Sequence, residues 1–135
     1  MIELLVVVII VGVLASISFP QYFRIVEKGK IQEAINVVNA AGAAQNRYVT
    51  KYNTYCTGVI ASCNGFDLTV PTMKYFGTPT SFLAGAGTPS WKVALTRIAS
   101  VPIYGNYVVT YTVEPNAAPV LTCSQTNCSA ELLPR

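Results

Sequence analysis

From Leu4 to Phe19 the chain reads LLVVVIIVGVLASISF with no charged side chain, and Glu3 is the one charged side chain ahead of Arg24. As a helix, the stretch from Met1 to Phe19 is about 28 Å long, close to the ~30 Å hydrocarbon core of a bilayer. That makes it a membrane-spanning candidate. A secretory signal peptide competes with this reading, but its apolar region runs about 7–15 residues, follows basic residues and ends at a small-residue cleavage site. No Lys or Arg precedes the run, and although Ala15-Ser16-Ile17-Ser18 supplies small residues, the pattern beyond them stays helical. A buried core helix is the other alternative, since a helix apolar on all sides must be covered on all sides. A chain of 135 residues has too little mass to wrap it. Burial is therefore expected from lipid first and from other chains second.

Working outward, Ile31, Ile35, Val38, Gly42, Gln45, Val49 and Tyr52 recur at spacings of 4, 3, 4, 3, 4 and 3, a single stripe at helical period. Lys28, Lys30, Glu33, Asn36, Asn39, Asn46, Arg47 and Lys51 lie mostly off it, as on a helix half covered and half wet. The two parts together predict one helix ending at about residue 52, several times the mean length of about 11–12. Pro20 removes a backbone donor inside it and is expected to kink it.

Residues 53–90 carry Gly58, Gly65, Pro71, Gly77, Pro79, Gly85, Gly87 and Pro89, too many breakers for long elements, and read as a long decorated loop. Trp91–Ile98 and Tyr107–Glu114 are rich in β-branched and aromatic residues and read as strands, with Ala118–Cys123 a third. The Tyr104-Gly105-Asn106 turn makes an antiparallel meander the simplest pairing. The fold class is thus α+β, one domain by length: a hydrophobic helix over 1–24, then a head over 25–135.

Composition excludes much chemistry. The chain has no His and only six acidic residues, which leaves few parts for a His-based centre or a carboxylate metal site. No nucleophile–base pair, phosphate loop or metal cluster is present in the sequence, so an enzyme, a cofactor and a small-molecule substrate are not expected. Hydrophobic residues at 52% against 11% charged argue against disorder. The four cysteines, Cys56, Cys63, Cys123 and Cys128, do not match zinc-knuckle spacing, and an exported protein favours their oxidation.

The opening MIELLVVVIIVGVLASISFPQY resembles the amino terminus of type IV pilins and of the related pseudopilins of type II secretion systems. The resemblance rests on a lone Glu at the head of an uninterrupted apolar helix, a Gly midway, a Pro some eight residues later and an amphipathic continuation into β-strands. It is close over roughly the first 25 residues and architectural beyond them. It implies the type IV pilin fold and a subunit held in the inner membrane, then drawn by an assembly machine into a homopolymeric surface filament serving adhesion, motility or DNA uptake. It also implies an N-methylated terminus about two residues ahead of Met1, left by a prepilin peptidase. Glu3 would meet the amino terminus of a neighbouring subunit, because an isolated carboxylate on an apolar helix needs a positive partner; an interfacial Glu at headgroup level is the plainer alternative. Gly12 and Pro20 bracket a segment of weakened helix propensity, either melted on assembly or statically kinked.

Of the three connectivities that four cysteines allow, the local pairs Cys56–Cys63 and Cys123–Cys128 are favoured, the second resembling the carboxyl-terminal disulfide loop of many pilins. The major pseudopilin is the nearest alternative; many of those bind calcium through an acidic carboxyl-terminal loop, whereas LTCSQTNCSAELLPR has Glu131 alone. A DNA-binding minor pilin is the third reading, and weak, since solvated faces account better for Arg24, Lys28, Lys30, Arg47 and Lys51 at a net charge of +3 than DNA or anionic headgroups do. Ring-to-ring conduction through Phe19, Tyr22, Phe23 and the tyrosines is disfavoured against ordinary packing. The Asn127-Cys128-Ser129 sequon is weakened by its cysteine.

Overall fold

The computed structural model describes residues 1–85, 89–99, 101 and 103–133; Gly87, one of the breakers named above, lies outside the described residues. Helix α1 runs unbroken from Ile2 to Tyr52, through Pro20. It stops at Asn53, whose φ of 55° is left-handed and whose N–H donates to the Val49 carbonyl at 2.8 Å, a conformation Asn tolerates better than most residues.

Only the second half of α1 is covered by the head. Its buried residues are Glu27, Ile31, Ala34, Val37, Val38, Ala41, Ala44 and Gln45. The expected stripe is correct at Ile31, Val38 and Gln45 but sits to one side of the true buried face. Ile35, Gly42 and Val49 fall on its margin, and Tyr52 is exposed. The small Ala34, Ala41 and Ala44, which an apolar count undervalues, are all buried on this face. A Cβ added at Gly42 would meet the Tyr111 hydroxyl at 4.0 Å.

The loop after α1 is more structured than its breakers suggest. Strands β1 (Gly58–Val59) and β2 (Ser81–Phe82) pair antiparallel, with a 3₁₀ turn over Ile60–Ser62. Two-residue strands are too short for alternation to register in a sequence. Strands β3 (Trp91–Thr96), β4 (Val108–Val113) and β5 (Val120–Cys123) form the expected antiparallel meander in the order β3-β4-β5. Each is shorter than its sequence estimate. The chain between β3 and β4 turns at Val101–Gly105, where the Gly105 N–H donates to the Val101 carbonyl at 2.7 Å with φ +59°. Helix α2 (Thr126–Glu131), which no sequence pattern announced, begins inside the second disulfide loop and runs past it.

Trp91, Val93 and Leu95 alternate inward along β3, with Phe76, Phe82 and Tyr107 packed around them. The free edge of β3 is covered by the long loop through paired bonds of 2.8 Å between Leu83 and Lys92, and through Gly77 to Thr96, so this edge is not open to further strands. A long helix packed on a small antiparallel sheet is an α+β arrangement consistent with the type IV pilin fold.

Candidate functional site

The structure divides the functional residues between a bare helix and a clamped head. Over the first 25 residues every large apolar side chain that α1 carries is exposed: Leu4 at 72%, Ile9 at 57%, Phe19 at 62%. An 18-residue window has a mean hydropathy of 2.8 and none of it is buried within the chain, so this helix is long and apolar enough to cross a membrane. Isolated soluble chains do not leave so large a continuous apolar surface in water; surfaces of this kind mark contact with lipid or protein.

Glu3 lies in the first turn of α1, where a carboxylate also complements the positive end of the helix dipole. Gly12 and Pro20 follow on the same segment, Pro20 about 25 Å along the axis from Glu3. The three are not brought together. Nothing lies within 4 Å of a Cβ built at Gly12, so no contact within the chain requires glycine there. The Ser16 hydroxyl donates to the Val13 carbonyl at 2.7 Å, a local bond that competes with helical ones.

The head takes hold of α1 at a side-chain cluster that sequence reasoning missed. Glu27 is 1% exposed, yet its Oε1 accepts from Arg97 Nε at 2.6 Å and from the Tyr107 hydroxyl at 2.8 Å. Its Oε2 lies 3.3 Å from Lys30 Nζ. Arg97 donates a second bond, from Nη1 to the Tyr75 carbonyl at 2.8 Å. Burial alone would push the Glu27 carboxyl up; the bonds from Arg97, Tyr107 and Lys30 outweigh it and hold Glu27 below its ordinary value of 4.5. Burial and the Glu27 charge push the Tyr107 hydroxyl well up. Two signals were present. Glu27 stands four residues before Ile31 on the extended helical stripe, and Arg97 keeps the inward parity of Trp91, Val93 and Leu95.

Above this cluster, the Glu33 carboxylate accepts the backbone N–H groups of Lys74 and Tyr75 at 2.8 and 2.9 Å. Buried Gln45 makes a two-way amide pair with the Cys56 backbone, at 2.7 and 2.9 Å. That pair carries the Cys56–Cys63 disulfide, Cα atoms 5.8 Å apart, to the helix. The Cys123–Cys128 disulfide, at 5.9 Å, ties β5 to α2. At the lower edge the Tyr104 hydroxyl donates to Glu131 Oε2 at 2.7 Å, and Arg24 Nε lies 3.4 Å from the same oxygen. The two favoured local pairings are thus both present, at separate corners of the head. Among the described residues, no group of three or more His, Cys, Asp or Glu side chains gathers to hold a metal ion.

Comparison with protein-family models, curated proteins and solved structures gives no match.

Proposed function

We propose that this chain is the structural subunit of a type IV pilus, anchored in the inner membrane by residues 1 to about 24 and then drawn by an assembly machine into a helical surface fibre. The observation that carries the reading is the change of environment along one continuous helix: almost wholly apolar and bare to Phe23, buried on one face under a disulfide-bonded head from Glu27. A head that reaches no lower than Arg24 leaves the apolar helix to lipid before assembly and to other copies after it. Contacts between copies that do not close on themselves generate open helical polymers. Glu3 then supplies the charge that a neighbouring amino terminus pairs with, setting axial register.

The closed Cys123–Cys128 loop supports a pilus over a calcium-binding pseudopilin. The carboxylate that follows it, Glu131, is already engaged by Tyr104 and Arg24, and calcium needs six to eight oxygens.

Glu3→Ala tests the proposal: the variant is expected to stay folded and membrane-bound, with filament yield from sheared cells strongly reduced. A normal yield of filaments from Glu3→Ala would contradict the assigned role.

A further inference from the structure

The head leaves a hollow where it meets the bare helix, and we propose that this hollow binds the phosphate of an anionic phospholipid from the membrane that α1 crosses. The inference rests on the membrane reading of residues 1–24 and adds a ligand to it. The hollow has a volume of about 400 Å³ and is lined by Arg24, Lys28, Ala130, Glu131 and Leu133. Arg24 and Lys28 are four residues apart and so share a face of α1. Both cations are solvent-exposed, as the sequence suggests, and they share the hollow with α2 and the chain just after it.

Depth argues for a lipid. If the hydrocarbon ends near Phe19, Arg24 stands about 7.5 Å above it and Lys28 about 13.5 Å, and the headgroup layer is about 5–8 Å thick on each side. Helical side chains tilt toward the helix N-terminus, so both cations lean back toward the bilayer. The aromatic pair Tyr22 and Phe23, ring centroids 6.1 Å apart, occupies the level where aromatic side chains gather at membrane interfaces.

Charge argues for an anion. Arg24 and Lys28 against Glu131 leave a net charge of +1 in the hollow. The Glu131 contact engages Nε of Arg24, and a guanidinium has five N–H donors in all. Glu131, itself held by Tyr104, positions Arg24 against α2 while weakening the site's pull on a phosphate.

The test uses the full chain reconstituted in vesicles, with spin-labelled phosphatidylglycerol and phosphatidylcholine reporting which lipid occupies the protein's boundary. Flotation with pure phosphatidylcholine vesicles comes first; failure to float would refute the membrane reading itself. For the floating protein, a preference for phosphatidylglycerol of about fivefold is expected, the scale of one cation beside an anionic surface. Arg24→Gln with Lys28→Gln should bring the preference to about one. Glu131→Gln should raise it, a change that a merely structural role for these residues does not produce. Lys51→Gln with Lys92→Gln, remote on the head, should leave it unchanged. Equal occupancy by both lipids in the unaltered chain, or a preference that survives the Arg24/Lys28 change, would overturn the proposal. So would loss of the preference to glycerol phosphate added at constant ionic strength, which would mark a site for soluble phosphate.

Discussion

The two halves of α1 are built from the same backbone and obey opposite rules. From Ile2 to Phe23 the helix is almost wholly apolar and its large side chains stand exposed, and at Arg24 it first meets the head, through Glu131; from Glu27 to Gln45 it is amphipathic, and its buried face carries a carboxylate and an amide as well as Ile, Val and Ala. In the first half the cost of burying polar atoms is avoided by having almost none. In the second it is met by pairing each one, and among the described residues no buried side-chain nitrogen or oxygen lacks a hydrogen-bond partner. Uniform apolarity needs no particular partner geometry, which would suit a surface that, on the proposed function, passes from lipid to other copies. A paired buried charge fixes one geometry, which suits the joint that must hold the head on the helix.

The strongest way to break this contrast is to remove one partner of the buried pair. Glu27→Ala or Arg97→Ala leaves an uncompensated buried charge and should cost the head about 3–5 kcal/mol, read by denaturant unfolding of the full chain in detergent. A loss under 1 kcal/mol for either would show that the joint is not where the head is held. Next come the disulfides. Reduction of Cys56–Cys63 or Cys123–Cys128 should each cost about 2–2.5 kcal/mol by loop-closure entropy, measured by the same unfolding curve with and without reductant.

Acid is expected to act more gently and chiefly through buried Glu27, since the Asp67 carboxyl, also held low by Arg47, is exposed. Because the folded state holds Glu27 below its ordinary 4.5, the stabilisation is complete above that value and is lost as pH falls through the depressed one. Stability of the unaltered chain should therefore fall on acidification below about pH 4.5, and Glu27→Gln should lower stability at pH 7 while flattening the acid limb. On the alkaline side, burial and the Glu131 carboxylate push Tyr104 up to about 12. That contribution is complete below its ordinary 10 and lost as pH rises toward 12, so Tyr104→Phe should flatten this limb.

The smallest effects belong to the bare half and the wet surface. Gly12→Ala meets no atom and should leave head unfolding unchanged, as should loss of the exposed Arg47–Asp67 pair. If Gly12→Ala moved the unfolding curve, the first half of α1 would be coupled to the head after all.

What could be read from the sequence tracks how local the cause is. The apolar run, the single long helix and the three-stranded meander each rest on periodicity within one segment, and each stands in the structure. The phase of the buried face was misplaced, because Ala34, Ala41 and Ala44 are buried although their small side chains carry little apolar signal. Strands β1 and β2 depend on a pairing between residues about twenty apart and are too short to show alternation. The Glu27–Arg97–Tyr107 cluster joins positions 70 and 80 residues distant from Glu27. Arg97 and Tyr107 read simply as strand residues and Glu27 carried no assignment, and only the fold brings the three into contact.

The central claim, that the bare half of α1 is the core of a homopolymer, is tested most directly by electron cryomicroscopy of filaments sheared from cells expressing the chain. The account predicts fibres of this subunit with residues 1–25 bundled along the axis, Glu3 buried beside a neighbour's amino terminus and the heads outside. Cells that hold the chain in the membrane and shed no such fibres, or fibres whose axis is built from the heads, would contradict it.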